Sequence, residues 1–347
     1  MKACVLESVG SLVYKEVPTP QAQAGEVLLK VRACGICSSD IDRVFKTGTY
    51  HFPTIPGHEF AGEIVAVGEG VDDSYVGKRA AVFPLLPCFE CDSCKSENYV
   101  HCSSYSYFGS RQDGAFAEYL AVPLWNIIPF DDSLPFTEAA LCEPTAVAMH
   151  ACDKANHIEG AHVAVIGSGT IGIIIALRAQ YLGAKSVTLV GTRDKKLEFA
   201  HEMGITQTVN SSKEVVHEAI AALTDNRGAD VVFECVGTSD SLESSILSTA
   251  KSGQVVVVGN PAGDMTLPRN SYWKILRNEL TLTGMWNSSY NAEVNDWQTA
   301  LDFMGLPGVD LSKLVTHTFD LSQHEAAFDA VRDREVFTIK VMLTNDN

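Results

Sequence analysis

The sequence predicts an α/β protein of two domains, one mainly β and one built on a parallel sheet with helices on both faces. Three observations carry this expectation. The 347 residues exceed an average domain of about 150. Near residue 155 the chain changes from short β runs broken by glycine and proline to apolar strands alternating with helices. A glycine-rich turn then joins the first of those strands to the first of those helices.

In the first part, 27–31 (VLLKV), 63–67 (EIVAV) and 79–82 (RAAV) read as strands bounded by turn residues. In the second part, the runs 162–166 (HVAVI), 186–190 (SVTLV), 230–233 (DVVF), 254–258 (QVVVV) and 280–283 (LTLT) are short and rich in β-branched residues. Helical patterns at 171–182, 195–203, 214–223 and 241–250 separate several of them, the mark of a parallel sheet buried on both faces. The tail adds a helix at 322–332 and a last strand at 337–343. The composition, 46% hydrophobic and 20% charged, is that of an ordinary globular protein.

Charge narrows the partners. Twenty-six basic residues against 43 acidic ones leave a net charge of −17, which repels nucleic-acid phosphates and anionic lipid alike. The longest apolar stretch, 163–177, is broken by glycines and is shorter than the roughly 20 residues a membrane helix needs. Residues 1–15 show no basic stretch followed by an apolar core, so a cytoplasmic protein is expected.

After the strand at 162 the chain reads Gly167-Ser168-Gly169-Thr170-Ile171-Gly172, fitting G-x-G-x-x-G, and an apolar helix follows. Such a turn needs its first glycine for tightness, its second for close approach to a pyrophosphate and its third for helix–strand packing. The helix start then offers free N–H groups to the phosphates. The next strand ends in Gly191-Thr192-Arg193, where an NAD site usually places a carboxylate on the adenosine ribose. A glycine leaves room for a 2′-phosphate, and a hydroxyl and a guanidinium can bind it, so NADP(H) is favoured over NAD(H). The competing reading makes Arg193 a solvated loop charge and gives the ribose to Asp194.

Four of the ten cysteines, Cys88, Cys91, Cys94 and Cys102, are spaced C-x2-C-x2-C-x7-C. Four thiolates on one loop suit tetrahedral zinc and leave no open position, which predicts a structural site. A second, dispersed set comprises Cys37, His58, Glu59 and Glu143. Spacing alone does not join these positions, and His51, His101 and His150 are equally eligible partners.

Together these motifs resemble the zinc-dependent medium-chain dehydrogenase/reductase superfamily over essentially the whole chain. They include Gly57-His58-Glu59, the four-cysteine loop, Asp113-Gly114-Ala115-Phe116-Ala117-Glu118-Tyr119 and Glu234-Cys235-Val236-Gly237. Within it the chain is similar to the polyol dehydrogenases, because Glu143-Pro144 supplies a carboxylate where alcohol dehydrogenases proper use a second cysteine. Segments 84–89 (PLLPCF), 108–114 (FGSRQDG) and 274–280 (KILRNEL) resemble members acting on a sugar-alcohol phosphate.

The resemblance implies a GroES-like, mainly β catalytic domain from residues 1–150 and 291–347, with a Rossmann domain, 151–290, inserted between them. It implies one catalytic zinc on Cys37, His58 and Glu143, with Glu59 as a nearby or exchanging fourth ligand, and one structural zinc on the four-cysteine loop. Ser39 is implied as the first proton acceptor and Asp40 as the residue orienting a ligand through His58. Arg111 and Lys274 are the cations that would meet a substrate phosphate. The expected reaction interconverts a secondary hydroxyl of a sugar alcohol, or sugar-alcohol phosphate, and the ketose, in a homodimer or homotetramer. The alternative is an NAD-dependent dehydrogenase of an unphosphorylated polyol or small secondary alcohol. Three positions depart from the family pattern: Ser38 replaces a usual glycine, Asp42 stands where a histidine often ends the proton relay, and Gly191-Thr192-Arg193 replaces the usual acidic position.

Overall fold

The structure, a computed structural model, describes residues 1–261 and 263–345. The chain forms two compact units, one of Met1–Ala146 with the segment from Ser289 onward, the other Val147–Ser288.

In the first unit, β1 (Lys2–Ser8) and β2 (Ser11–Glu16) make an antiparallel hairpin. The long strand β3 (Glu26–Gly35) leads into a short helix α1 (Ser38–Asp42), and the chain returns as β4 (Glu59–Val67). Alternate residues of β3 (Val27, Leu29, Val31, Ala33) are fully buried while those between are partly exposed, the period-two pattern of a strand with one face on the core. There follow β5 (Arg79–Val82), β6 (Leu85–Leu86), α2 (Asp92–Lys95), β7 (Ser106–Tyr107), β8 (Tyr119–Pro123), β9 (Ile127–Pro129), α3 (Phe136–Ala139) and α4 (Cys142–Asp153). Helix α4 carries the chain into the second unit.

That unit alternates β10 (His162–Ile166), α5 (Thr170–Tyr181), β11 (Ser186–Gly191), α6 (Asp194–Glu202), β12 (Gln207–Asn210), α7 (Val216–Leu223), β13 (Ala229–Glu234), α8 (Ser239–Ser248), β14 (Thr249–Val257), α9 (Arg269–Asn278) and β15 (Thr281–Gly284). All six strands are parallel, in the order β12-β11-β10-β13-β14-β15. The order reverses between β10 and β13, which opens a crevice at the carboxyl ends of the strands. Every residue of β10 is buried, and each fully buried valine or isoleucine there contributes about 1.5–3 kcal/mol. Burial on both faces explains why these strands read as continuous apolar runs.

The tail returns to the first unit as α10 (Asp296–Met304), β16 (Val315–Asp320), α11 (His324–Arg332) and β17 (Lys340–Thr344). Its last strand pairs with β3, Met342 opposite Gly35, and completes the order β16-β17-β3-β4-β5-β9. Element ends differ from the sequence expectation where side chains intervene. The helix expected from 322 starts at His324, because Asp320 and Gln323 cap a preceding 3-10 turn. The helix expected from 214 starts at Val216, since the Lys213 and Glu214 N–H groups both donate to the Asn210 carbonyl. The strand expected from 337 starts at Lys340. Among the described residues no helix is long and apolar enough to cross a membrane.

Candidate functional site

The segment between β6 and β7 brings Cys88, Cys91, Cys94 and Cys102 together, their sulfurs all within 4.8 Å of one another. All four are free thiols. The Cys91 and Glu90 N–H groups donate to the Cys88 sulfur, and the Cys88 N–H donates to the Cys102 sulfur at 3.3 Å. Backbone donors bring Cys91 down to about 6, whereas burial pushes Cys94 up to about 12. Four sulfurs this close form an all-sulfur donor set, the donor chemistry of structural zinc.

A second cluster forms where β3 and β4 meet. The β3–β4 register sets Gly35 opposite Glu59, so Cys37 follows β3 beside the start of β4. Cys37 Sγ, a His58 ring nitrogen and a Glu59 carboxylate oxygen lie within 4.8 Å of one another. A thiol, an imidazole and a carboxylate are three ligands that leave tetrahedral zinc a fourth position. Cys37 caps α1, and its N–H donates to Asp40 Oδ2 at 3.0 Å. Asp40 Oδ1 lies 3.4 Å from His58 Nδ1, the arrangement that orients a metal-bound imidazole through its second nitrogen.

Arg43, which the sequence reading missed, closes this network. Its Nη1 donates to Ser39 Oγ at 2.9 Å and to Asp40 Oδ1 at 3.1 Å. The signal was local, since Arg43 stands four residues after Ser39 and three after Asp40 on one helical turn. Burial alone would raise the Asp40 carboxyl, but His58 beside it, with Arg43 and the Cys37 N–H, holds it at about 2 against an ordinary 3.8. A depressed folded-state value contributes stability above the unfolded value and loses it as pH falls through the folded one. Asp40 is thus expected to contribute about 2 kcal/mol that disappears between roughly pH 4 and pH 2. Urea unfolding across that range checks it; Asp40→Asn should flatten the profile there.

Two carboxylates flank the cluster differently. Lys340 of β17, only 4% exposed, donates to both oxygens of Glu59, at 2.7 and 2.5 Å. Gly35 makes room for this pair, because a Cβ there would stand 2.3 Å from Glu59 Oε2. Glu143, expected as the third ligand, is not one of the three clustered donors. Its Oε1 instead accepts from the Tyr107 hydroxyl at 3.3 Å. Burial pushes Glu143 up to about 7. Neither Lys340, 281 residues from Glu59, nor Tyr107 carried any signal in the sequence.

In the second unit, a cavity of about 730 Å³ lies against the glycine-rich turn. Gly167, Ser168 and Gly169 wall it, and a Cβ on Gly169 would meet nothing within 4 Å, so the turn has open space there for a phosphate group. Gly172 serves packing, since a Cβ would come within 1.9 Å of the Gly167 carbonyl. Thr170 and Ile171 form the first turn of α5, whose N–H groups face this end. Gly191, Thr192, Arg193 and Lys196 line the same cavity. A side chain at Gly191 would strike Ser168 Oγ at 2.4 Å. Asp194, the competing ribose ligand, is occupied elsewhere, accepting from Asn210 Nδ2 at 2.7 Å and Lys213 Nζ at 2.6 Å. Burial, with Arg193 nearby, brings the Lys196 ammonium down to about 8.

The remaining candidates separate. Arg111 is held between Tyr50 and Tyr105, its guanidinium 3.9 and 4.6 Å from the ring centres, and Nη2 donates to the Tyr50 hydroxyl. Lys274, on α9, donates to the Leu247 carbonyl, and burial lowers its pKa. This bond ties α9 to α8 in the second unit. His51 is hydrogen-bonded to the Pro53 carbonyl in its own loop and to the Arg111 carbonyl, His101 to Asn98, and His150 lies in α4. Asp42 pairs with Lys46 at the surface, and Ser38 is exposed.

Comparison with known proteins places these features. Residues 23–132 match the alcohol dehydrogenase GroES-like domain, and residues 170–305 match the zinc-binding dehydrogenase domain. The chain is 36% identical to galactitol 1-phosphate 5-dehydrogenase of Escherichia coli K12, with 99% of each covered. It is 32% identical to sorbitol dehydrogenase of Bacillus subtilis, covering 99% of this chain and 97% of that one. The crystal structure of the Escherichia coli galactitol-1-phosphate dehydrogenase superposes with a TM-score of 0.91 over 99% of this chain and 100% of that one. A zinc-binding dehydrogenase of Sinorhizobium meliloti bound to NADP, 28% identical, also superposes at 0.91, with 99% of each chain covered.

Proposed function

This chain belongs to the zinc-dependent alcohol and polyol dehydrogenase family, and from that premise we propose that it interconverts a secondary hydroxyl of a sugar alcohol, or sugar-alcohol phosphate, and the ketose. The convergence of Cys37, His58 and Glu59, backed by Asp40 and by Ser39, carries this reading. These three residues would hold the catalytic zinc, and Cys88, Cys91, Cys94 and Cys102 a structural one. When bound, zinc stabilises an alkoxide and lowers the pKa of the hydroxyl that becomes it, and the nicotinamide exchanges the hydride.

The chain's own residues do the rest. Asp40 fixes the His58 ring by accepting from Nδ1. Ser39 takes the substrate proton on a lone pair while Arg43 occupies another, and passes its own proton outwards to water. Arg43 stays protonated throughout and cannot carry the proton away.

We read the cofactor as NADP(H). Asp194 is bound by Asn210 and Lys213, whereas Arg193 and Lys196 line the cavity, two cations suited to a 2′-phosphate. Arg193→Ala is expected to raise KM for NADP+ about 10- to 100-fold, the worth of one hydrogen bond to a charged group, and to leave NAD+ within two-fold. Equal losses with both cofactors would refute the assignment.

Similarity to galactitol 1-phosphate 5-dehydrogenase supports a phosphorylated substrate, with Arg111 as the cation that meets it. Arg111 spends one of its five N–H donors on the Tyr50 hydroxyl and stacks on two tyrosine rings, an arrangement that also fits a second reading, an unphosphorylated polyol or small secondary alcohol with NAD(H). Initial rates with galactitol, sorbitol and their phosphates, each with NAD+ and NADP+, decide between them. Turnover of none of the four would refute a polyol or polyol-phosphate substrate. We also read a homodimer or homotetramer, supported by the exposed Leu282 on the edge strand β15 with Trp273, Leu276 and Trp286 exposed in its unit. Light scattering of the purified protein tests it.

A further inference from the structure

We propose that Tyr107 holds Glu143 out of the metal's coordination sphere and so keeps the fourth position open for an exchangeable ligand. The inference rests on the assignment of Cys37, His58 and Glu59 as the metal ligands. Besides Asp40, which the Cys37 N–H and Arg43 hold, two buried carboxylates stand at this site, Glu59 and Glu143, and both are chemically able to bind zinc. A catalytic centre needs three protein ligands and one vacant position, so a second carboxylate on the metal would fill the place substrate must take.

Each carboxylate has its own donor, on a different element. Lys340 holds Glu59 where a carboxylate oxygen lies within 4.8 Å of Cys37 Sγ and the His58 ring. Tyr107 holds Glu143, which is outside that set, through a hydroxyl 3.3 Å from Oε1. The phenol is anchored. Tyr107 pairs with Leu85 across the β6–β7 hairpin, and its carbonyl accepts from the N–H groups of Ser110, Arg111 and Gln112 at 3.4, 3.0 and 3.1 Å. Its ring packs against His58 with centres 5.9 Å apart and planes tilted by 57°. A donor fixed in this way cannot follow the carboxylate, so Glu143 gives up the bond if it moves to the metal. Glu143 is only 8% exposed, so water does not readily replace the lost partner. Tyr107 is thus a positioning residue acting on Glu143.

Cobalt(II) as the probe metal tests this without any substrate. Its visible absorption reports coordination number, and imidazole reports the open position. In the wild type, imidazole should shift the spectrum of the metal at this site. In Tyr107→Phe, Glu143 is freed to join the metal. Cobalt should then bind about ten-fold more tightly, about 1.4 kcal/mol and close to the net worth of one hydrogen bond, and imidazole about ten-fold more weakly. The double variant Tyr107→Phe/Glu143→Gln should return both values to those of the wild type. A Tyr107→Phe protein that melts lower but keeps wild-type cobalt and imidazole binding would overturn the proposal, because that is what a merely structural tyrosine predicts. Wild-type protein that takes up metal only on the four-cysteine loop would overturn it together with the ligand assignment. Protein that behaves as expected here but oxidises no alcohol would instead refute the functional reading and leave this one standing.

Discussion

Replacing Cys37 by serine, or His58 by alanine, is expected to lower kcat at least about a thousand-fold while the fold and the metal of the four-cysteine loop are retained. A thousand-fold is about 4 kcal/mol of barrier, within the several kcal/mol that a Lewis-acidic metal supplies to a developing alkoxide. The effect is large because each residue serves twice. Cys37 is a donor and also the cap of α1, whose N–H holds Asp40. His58 is a donor and also Asp40's partner, and with Asp40 fully buried the pair has no aqueous substitute. Metal content, circular dichroism and initial rates on the same preparation check the outcome. A folded Cys37→Ser protein with more than a tenth of wild-type turnover would remove the metal-assisted mechanism.

The second large effect concerns stability. Lys340→Met should destabilise the first unit by about 3–5 kcal/mol, because it leaves the Glu59 carboxylate buried without its cation. In a unit of this size that is a fall in Tm of roughly 10 °C. The loss should be larger after chelation than with zinc bound, since a metal on Glu59 supplies the missing positive charge. Glu59→Gln in the same chain should recover much of it by removing the stranded charge. Thermal melts of the single and double variants, with and without chelator, read all three comparisons. An unchanged Tm for Lys340→Met under chelation would mean that the pair contributes nothing net.

What could be read along the chain was whatever is decided within a few residues. The strands β10, β11 and β13 announced themselves because burial on both faces demands uninterrupted apolar runs. The glycine turn was legible because Gly172 must be a glycine for a local reason, the approach of the Gly167 carbonyl five residues away. The four cysteines stood out because one loop brings all of them together, so their spacing and their geometry are nearly the same information. Arg43 belonged to this class and was overlooked, although its partners Ser39 and Asp40 are one helical turn away.

The rest depended on sheet pairing. Cys37 and Glu59 become neighbours because β3 and β4 pair with Gly35 opposite Glu59. Lys340 reaches Glu59 only because the tail strand β17 adds to β3 from the far end of the chain. Tyr107 and Glu143 meet across 36 residues, through a two-residue hairpin strand and the first turn of a helix. Family resemblance named both Glu59 and Glu143 beside Cys37 and His58, and in the described geometry the Glu59 carboxylate lies within 4.8 Å of the thiol and imidazole donors. Donor types and nucleotide-binding chemistry are properties of residues and short turns, so they survive in the linear order. Which buried carboxylate lies among the thiol and imidazole donors, and which cation reaches it, is set by the register of strands far apart in sequence. No local pattern encodes that register, because pairing energy comes from surfaces buried between segments that folding alone brings together.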